Sequence, residues 1–155
     1  MRKRSESLDQ TKELAANFLK DLLFQEEQKG RKKGAKVIGL SGDLGSAKTS
    51  FVKAIATTLG ITETVKSPTF IIEKIYKIPP SVLSGPFQHL IHIDAYRLES
   101  PDELTHLGFK EILEDSKNLI FIEWPERVHT ILPDGYQLIS FRFVDETTRD
   151  MEFKK

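Results

Sequence analysis

The sequence predicts a single α/β domain, a mixed β-sheet flanked by helices, and three observations predict it. A chain of 155 residues has the size of one ordinary domain, long enough for a real core and too short for two full ones. Helical and strand-like patterns alternate along it, with no internal repeat and no low-complexity tract. A glycine-containing stretch, GDLGSAKTS at residues 42–50, stands between an apolar strand-like run and an amphipathic one, which is the order strand, loop, helix.

The elements follow in order. From Leu8 to about Gln28, Leu14, Ala15, Phe18 and Leu22 recur at helical spacing and predict an amphipathic helix. A charged linker, Gly30 to Gly34, separates it from Val37-Ile38-Gly39-Leu40, a short apolar run that suits a buried strand. After the glycine loop, Phe51, Val52, Ile55, Ala56 and Leu59 mark one face of a second helix, and Gly60 supplies its stop. Thr69 to Ile78 is rich in β-branched and aromatic residues, Pro79-Pro80 through Pro86 turns the chain, and His89 to Leu98 resumes an extended pattern, together a hairpin. Ser100-Pro101-Asp102-Glu103 opens a helix with a cap and a proline in its first turn, reaching about His106. A short helix at Phe109 to Leu113, an apolar strand from Asn118 to Trp124 and a hairpin within Tyr136 to Phe153 complete one domain spanning residues 1–155, with 1–7 and 154–155 as flexible ends.

Charge and composition exclude several functions. Lys+Arg and Asp+Glu both total 23, so the basic excess expected of a protein that neutralises many nucleic-acid phosphates is missing. The clusters Arg2-Lys3-Arg4 and Arg31-Lys32-Lys33 with Lys36 read as solvated surface, with nucleic-acid contact as the alternative. Without cysteine there is no disulfide and no thiolate metal site, which suits a reducing cytosol. Ser5-Glu6-Ser7 stands where a signal peptide needs apolar residues, and no run approaches a membrane span. A soluble, cytoplasmic protein is the expectation.

The loop carries the chemistry. In G-x-x-x-x-G-K-[ST], glycines let successive N–H groups converge on phosphate oxygens, lysine reaches the outer phosphates and the hydroxyl binds Mg²⁺. Gly42, Gly45, Lys48 and Thr49 satisfy the chemistry, but Ala47 replaces the glycine before the lysine. If position 47 requires positive φ, its Cβ costs about 1–2 kcal/mol, equivalent to roughly ten- to thirtyfold in affinity. If φ is negative there, only crowding matters.

Nucleotide hydrolysis also needs acids to hold Mg²⁺ and place water. Ile120-Phe121-Ile122-Glu123 is an apolar strand ending in a carboxylate that would approach the metal if it lay beside the loop strand. In His89-Leu90-Ile91-His92-Ile93-Asp94, alternation puts His92 and Asp94 on one face and Ile91 and Ile93 on the other. The four histidines show no convincing metal-ligand spacing and read as satisfied surface or core residues. Trp124 reads equally as core packing, Ser67-Pro68 as a strand-entry turn and Arg97 as a surface ion pair.

Taken in order and at their spacing, GDLGSAKTSF, VKSPTF at Val65 to Phe70, IDAYRL at Ile93 to Leu98, PDELTHLGF at Pro101 to Phe109 and FIEWPE at Phe121 to Glu126 resemble the TsaE (YjeE) family, the bacterial P-loop ATPase of tRNA threonylcarbamoyladenosine biosynthesis. The resemblance runs from about Thr11 to Arg149, and its SPTF, D-x-YRL and IEWPE segments are not general features of phosphate loops.

The resemblance implies a P-loop NTPase-like fold that takes ATP or ADP with Mg²⁺. Gly42 and the stretch Gly45, Ser46, Ala47, Lys48, Thr49 and Ser50 would hold the phosphates, with Lys48 on the outer ones and Thr49 and Glu123 on Mg²⁺. Asp94 would support hydrolysis, Thr69 would sense the terminal phosphate from a switch-like segment, Trp124 would lie beside the nucleotide and Arg149 would make a late contact with it. The implied partner is the TsaD–TsaB complex, which this ATPase would reset between turnovers by slow hydrolysis, without strong binding of its own to tRNA and without a membrane. The sequence departs from the family's usual G-A-G-K-T at Ser46-Ala47, which keeps open a nucleotide-independent adaptor docking on the same complex. A small phosphotransferase is a third reading, against which stands the want of a lid-like insertion.

Overall fold

A computed structural model describes residues 1–29, 33–65, 72–81 and 84–154. The strands are β1 (Arg2–Ser5), β2 (Lys36–Ser41), β3 (Glu73–Lys77), β4 (His89–Asp94), β5 (Asn118–Glu123), β6 (Gln137–Phe143) and β7 (Arg149–Lys154), and the helices α1 (Leu8–Lys29), α2 (Lys48–Thr58), α3 (Pro101–Thr105) and α4 (Phe109–Glu114). All seven strands form one mixed sheet in the order β1-β7-β6-β2-β5-β4-β3. Its centre is parallel: β2 lies between β5 and β6, and β4 flanks β5. The margins β3, β7 and β1 are antiparallel.

Strand alternation divides the core into two layers. Ile38, Leu40, Leu119, Phe121, Leu90, Ile139 and Phe141 pack with α1 and α2 on one face, while Val37, Ile91, Ile93, Ile120 and Ile122 pack with Leu104 of α3 and Phe109 of α4 on the other. The uninterrupted apolar β5, buried at every position, is what a central parallel strand covered on both faces requires. Phe51, one turn into α2, meets Phe18, Phe121, Phe141 and Phe153 with ring centroids 5.5–6.5 Å apart. That aromatic knot fixes the helix that starts after the β2 loop.

The structure corrects several sequence expectations. Residues 1–7 are not a loose end: Arg2 to Ser5 pair with Arg149 to Glu152, and the buried Ser5 hydroxyl lies 2.7 Å from that of Thr11. The cluster Arg2-Lys3-Arg4 is partly spent on that edge, because Arg4 forks onto Asp150 and Arg2 faces Glu152. Lys154, taken for a loose end, pairs with Leu138. The strand expected over Thr69 to Ile78 is Glu73–Lys77 among the described residues, and Thr69 with Ser67-Pro68 lies outside them. The extended pattern expected to reach Leu98 stops at Asp94, whose carboxylate accepts the Tyr96 N–H at 3.0 Å and turns the chain. The buried stripe of α1 runs through Thr11, Ala15, Leu19, Leu22 and Leu23, leaving Leu14 and Phe18 half-buried. Ser100 precedes α3 as expected, but its side chain makes no capping hydrogen bond.

Candidate functional site

The loop joining β2 to α2 lies at the carboxyl ends of the parallel strands, where ligands of open α/β sheets bind. Its turns need unusual backbone. At Gly42, φ is +138° and a Cβ would meet the Phe141 carbonyl oxygen at 2.3 Å, so only glycine fits between β2 and β6. Ala47 adopts φ +80°, which resolves the open question at that position in favour of strain. With φ at +80°, the Cβ of Ala47 costs the folded loop about 1 kcal/mol.

Lys48 opens α2 and bends back over its own loop. Its ammonium donates to the Gly42 carbonyl and, at 3.1 Å, to that of Asp43, and it lies 4.1 Å from the centre of the Trp124 ring. Burial pushes the amine below its ordinary value, opposed by the charges of Glu123, Asp94, Glu126 and Asp43. A cation so desolvated, held by neutral carbonyls and a ring, gains from an arriving anion. Trp124 holds the αL conformation with φ +62° and packs on Tyr96 with centroids 5.1 Å apart.

Period-two alternation carries the acids to the same place. Leu119 and Phe121 face α2, so Glu123 does too; Leu90 faces α2, so His92 and Asp94 follow. Parallel pairing puts Asp94 opposite Glu123. The Thr49 hydroxyl donates to Glu123, 3.2 Å from Oε1 and 3.1 Å from Oε2. Glu123 is almost wholly buried, and His92 Nε2 approaches its Oε2 at 2.6 Å from a fully buried ring.

These groups line a cleft of about 690 Å³, within the range of small-ligand sites. Gly45, Ser46, Ala47, Lys48, Thr49, Ser50, Asp94, Glu123, Trp124 and Arg149 all border it. Gly42 borders the adjoining groove instead. Arg149 crosses from β7 and donates to the Gly45 carbonyl at 2.9 Å, to that of Thr148 at 3.0 Å and to that of Asp145, so its guanidinium braces the loop. The far end is formed by Glu6, Ser7 and Leu8 and by Glu146 and Thr147, which sequence reasoning missed because the N-terminus was expected to be loose.

The donors present suit Mg²⁺. A hydroxyl and a carboxylate in mutual contact, with a second carboxylate in register, offer hard oxygen ligands. Among the described residues no group of three or more His, Cys, Asp or Glu could hold a metal alone. Mg²⁺ in general does not need such a cage, being commonly held by one or two carboxylates with substrate phosphates and water in the rest of its shell. The Ser46 hydroxyl is buried without a hydrogen-bond partner among the described residues, a group that an incoming oxygen could satisfy.

Comparison with known proteins gives a consistent family. The family model described as "Threonylcarbamoyl adenosine biosynthesis protein TsaE" matches residues 5–151. The tRNA threonylcarbamoyladenosine biosynthesis protein TsaE of Borreliella burgdorferi is 40% identical over 110 residues, covering 70% of this chain and 74% of that one. Its namesake from Rickettsia typhi is 35% identical over 120 residues, 77% of each chain. The crystal structure of Bacillus subtilis YdiB superposes with a TM-score of 0.70 at 27% identity, covering 99% of this chain and 83% of that one.

Proposed function

The chain belongs to the TsaE family of threonylcarbamoyl adenosine biosynthesis proteins, and from that premise we propose that it binds and slowly hydrolyses ATP with Mg²⁺. The observation that carries this reading is the convergence of Lys48, Thr49 and Glu123 at the mouth of α2. The first-turn N–H groups of α2 would bind phosphate oxygens, aided by the helix dipole. Lys48 would leave the Gly42 and Asp43 carbonyls for the outer phosphates, exchanging neutral acceptors for charged ones.

Thr49 and Glu123 would hold Mg²⁺, which when bound supplies positive charge against the phosphates. Asp94, opposite Glu123 in the sheet, would orient the attacking water. The Trp124 ring, now against Lys48, would border the bound nucleotide, and Arg149 would hold the loop in shape through Gly45. Nothing in this arrangement requires a basic face for tRNA, and the net charge is zero.

The proposed setting is a cytoplasmic TsaD–TsaB complex that hydrolysis resets between turnovers of the tRNA modification. Among the described residues no helix is long and apolar enough to cross a membrane. Trp124 is the single tryptophan, so its fluorescence reports a titration with Mg-ADP or Mg-ATP directly. Saturable quenching that Lys48→Ala abolishes is expected. Absence of binding by fluorescence and calorimetry in the folded protein would leave the adaptor in its place.

A further inference from the structure

The deepest contact of the site belongs to a residue that the proposed chemistry does not use. His92 is fully buried, yet its ring nitrogen Nε2 lies 2.6 Å from Glu123 Oε2. With the Glu123 carboxylate as acceptor, the proton of this contact lies on Nε2. In the sheet His92 pairs with Phe121, two residues before Glu123 on the adjacent strand. Its side chain therefore reaches the carboxylate diagonally, along the face that α2 covers.

Glu123 needs such a tether. It is a terminal strand residue with a rotatable side chain, and its contact on the cleft side is the hydroxyl of Thr49, whose lone pairs stay free for a metal while its proton stays directed at the carboxylate. That one proton is divided between the two carboxylate oxygens at 3.2 and 3.1 Å, whereas the bond from His92 meets Oε2 alone at 2.6 Å and keeps the carboxylate aimed. An apolar residue would fill the same core position between the sheet and α2 as well as an imidazole does. Placing a polar ring there makes sense through what it holds.

We propose that His92 is a positioning residue for the divalent cation: its Nε2–H fixes the Glu123 carboxylate in the orientation that receives the metal of a bound nucleotide. This rests on the nucleotide reading above. Partners of this kind, acting on a ligand from behind it, typically alter metal affinity by about 10–100-fold.

The test uses Mn²⁺ as probe, followed by electron paramagnetic resonance in the presence of ADP. His92→Leu, similar in volume and without an N–H, is expected to weaken Mn²⁺ binding at least tenfold, while metal-free ADP binding and the melting temperature change little. His92→Gln, whose amide nitrogen reaches close to the Nε2 position, restores binding to within about threefold; His92→Asn, with a shorter reach, does not. If His92→Leu fails to fold, the contrast between Gln and Asn decides. A long-range ¹H–¹⁵N spectrum of the metal-free protein shows the ring proton on Nε2; a ring protonated on Nδ1 alone overturns the proposal. Equal Mn²⁺ binding by the wild-type protein and His92→Leu overturns it while leaving the nucleotide reading intact. Failure of the wild-type protein to bind Mn–ADP removes both.

Discussion

Two charged clusters stand on this sheet, and they are built to opposite rules. At the margin, Asp150 accepts from Arg4 at 2.7 and 3.0 Å and from Arg142 at 2.9 Å, with both arginines exposed. At the centre, Glu123, His92 and Lys48 are buried, Lys48 resting on carbonyls and a ring, and the Ser46 hydroxyl is unpartnered among the described residues. The marginal cluster is complete as it stands and stitches β1 to β7 and β6. The central cluster carries desolvation that a phosphate and a cation would relieve. An exposed, satisfied pair is architecture; a buried, under-satisfied one fits the ligand-binding role proposed for it.

The largest effect that can break this contrast is Lys48→Ala. It would remove the charge-assisted bond to phosphate that the proposed function assigns to Lys48, so nucleotide affinity is expected to fall about a hundredfold. Since the ammonium is held below its ordinary basicity by burial, its loss should leave the melting temperature unchanged or raised. A variant that instead unfolds would make Lys48 structural and erase the distinction.

Glu123→Gln keeps the shape and removes the charge. The hydrolysis proposed above is expected to drop by about 10²-fold or more, as when one electrostatic element of a reaction site is lost. Stability should hold, because neutralising a buried ion removes its desolvation cost along with its attraction. A phosphate-release assay beside a thermal melt separates the two.

Ala47→Gly is smaller and acts through the backbone. Relief of φ +80° should stabilise the protein by about 1 kcal/mol, or roughly 2–4 °C in melting temperature for a chain of this size. If the loop holds the same φ with and without nucleotide, affinity should change less than about tenfold. A large gain in affinity with unchanged stability would mean that the loop adopts this conformation only with ligand.

The unequal legibility of the two clusters in the sequence has the same physical root. The loop, the strand before it and the helix after it were readable because glycines, lysine and hydroxyl at fixed spacing leave few other uses. Asp94 and Glu123 were readable because each ends an apolar strand. His92 was visible only as a member of the Asp94 face. Its partner follows from the parallel register of β4 on β5, which no local pattern encodes. The marginal strand was missed for a related reason: Arg-Lys-Arg has no strand periodicity, and its order comes from a ladder with residues about 150 positions away.

The smallest effect tests that margin. The two arginines hold the Asp150 carboxyl well below the usual carboxylate range, so in mild acid the unfolded chain binds the proton that the folded one refuses. The stabilisation from this group is therefore fully present above its unfolded value of about 3.9 and is lost as pH falls toward its folded value. Asp150→Asn should melt slightly below the wild-type protein at pH 7, with the difference shrinking below about pH 4 and with added salt, as expected of an exposed pair. Nucleotide binding should not follow. A change in nucleotide affinity in this variant would mean that the edge strand, through Ser7 and Leu8 at the far end of the cleft, shares in the site, and the two clusters would then be one system.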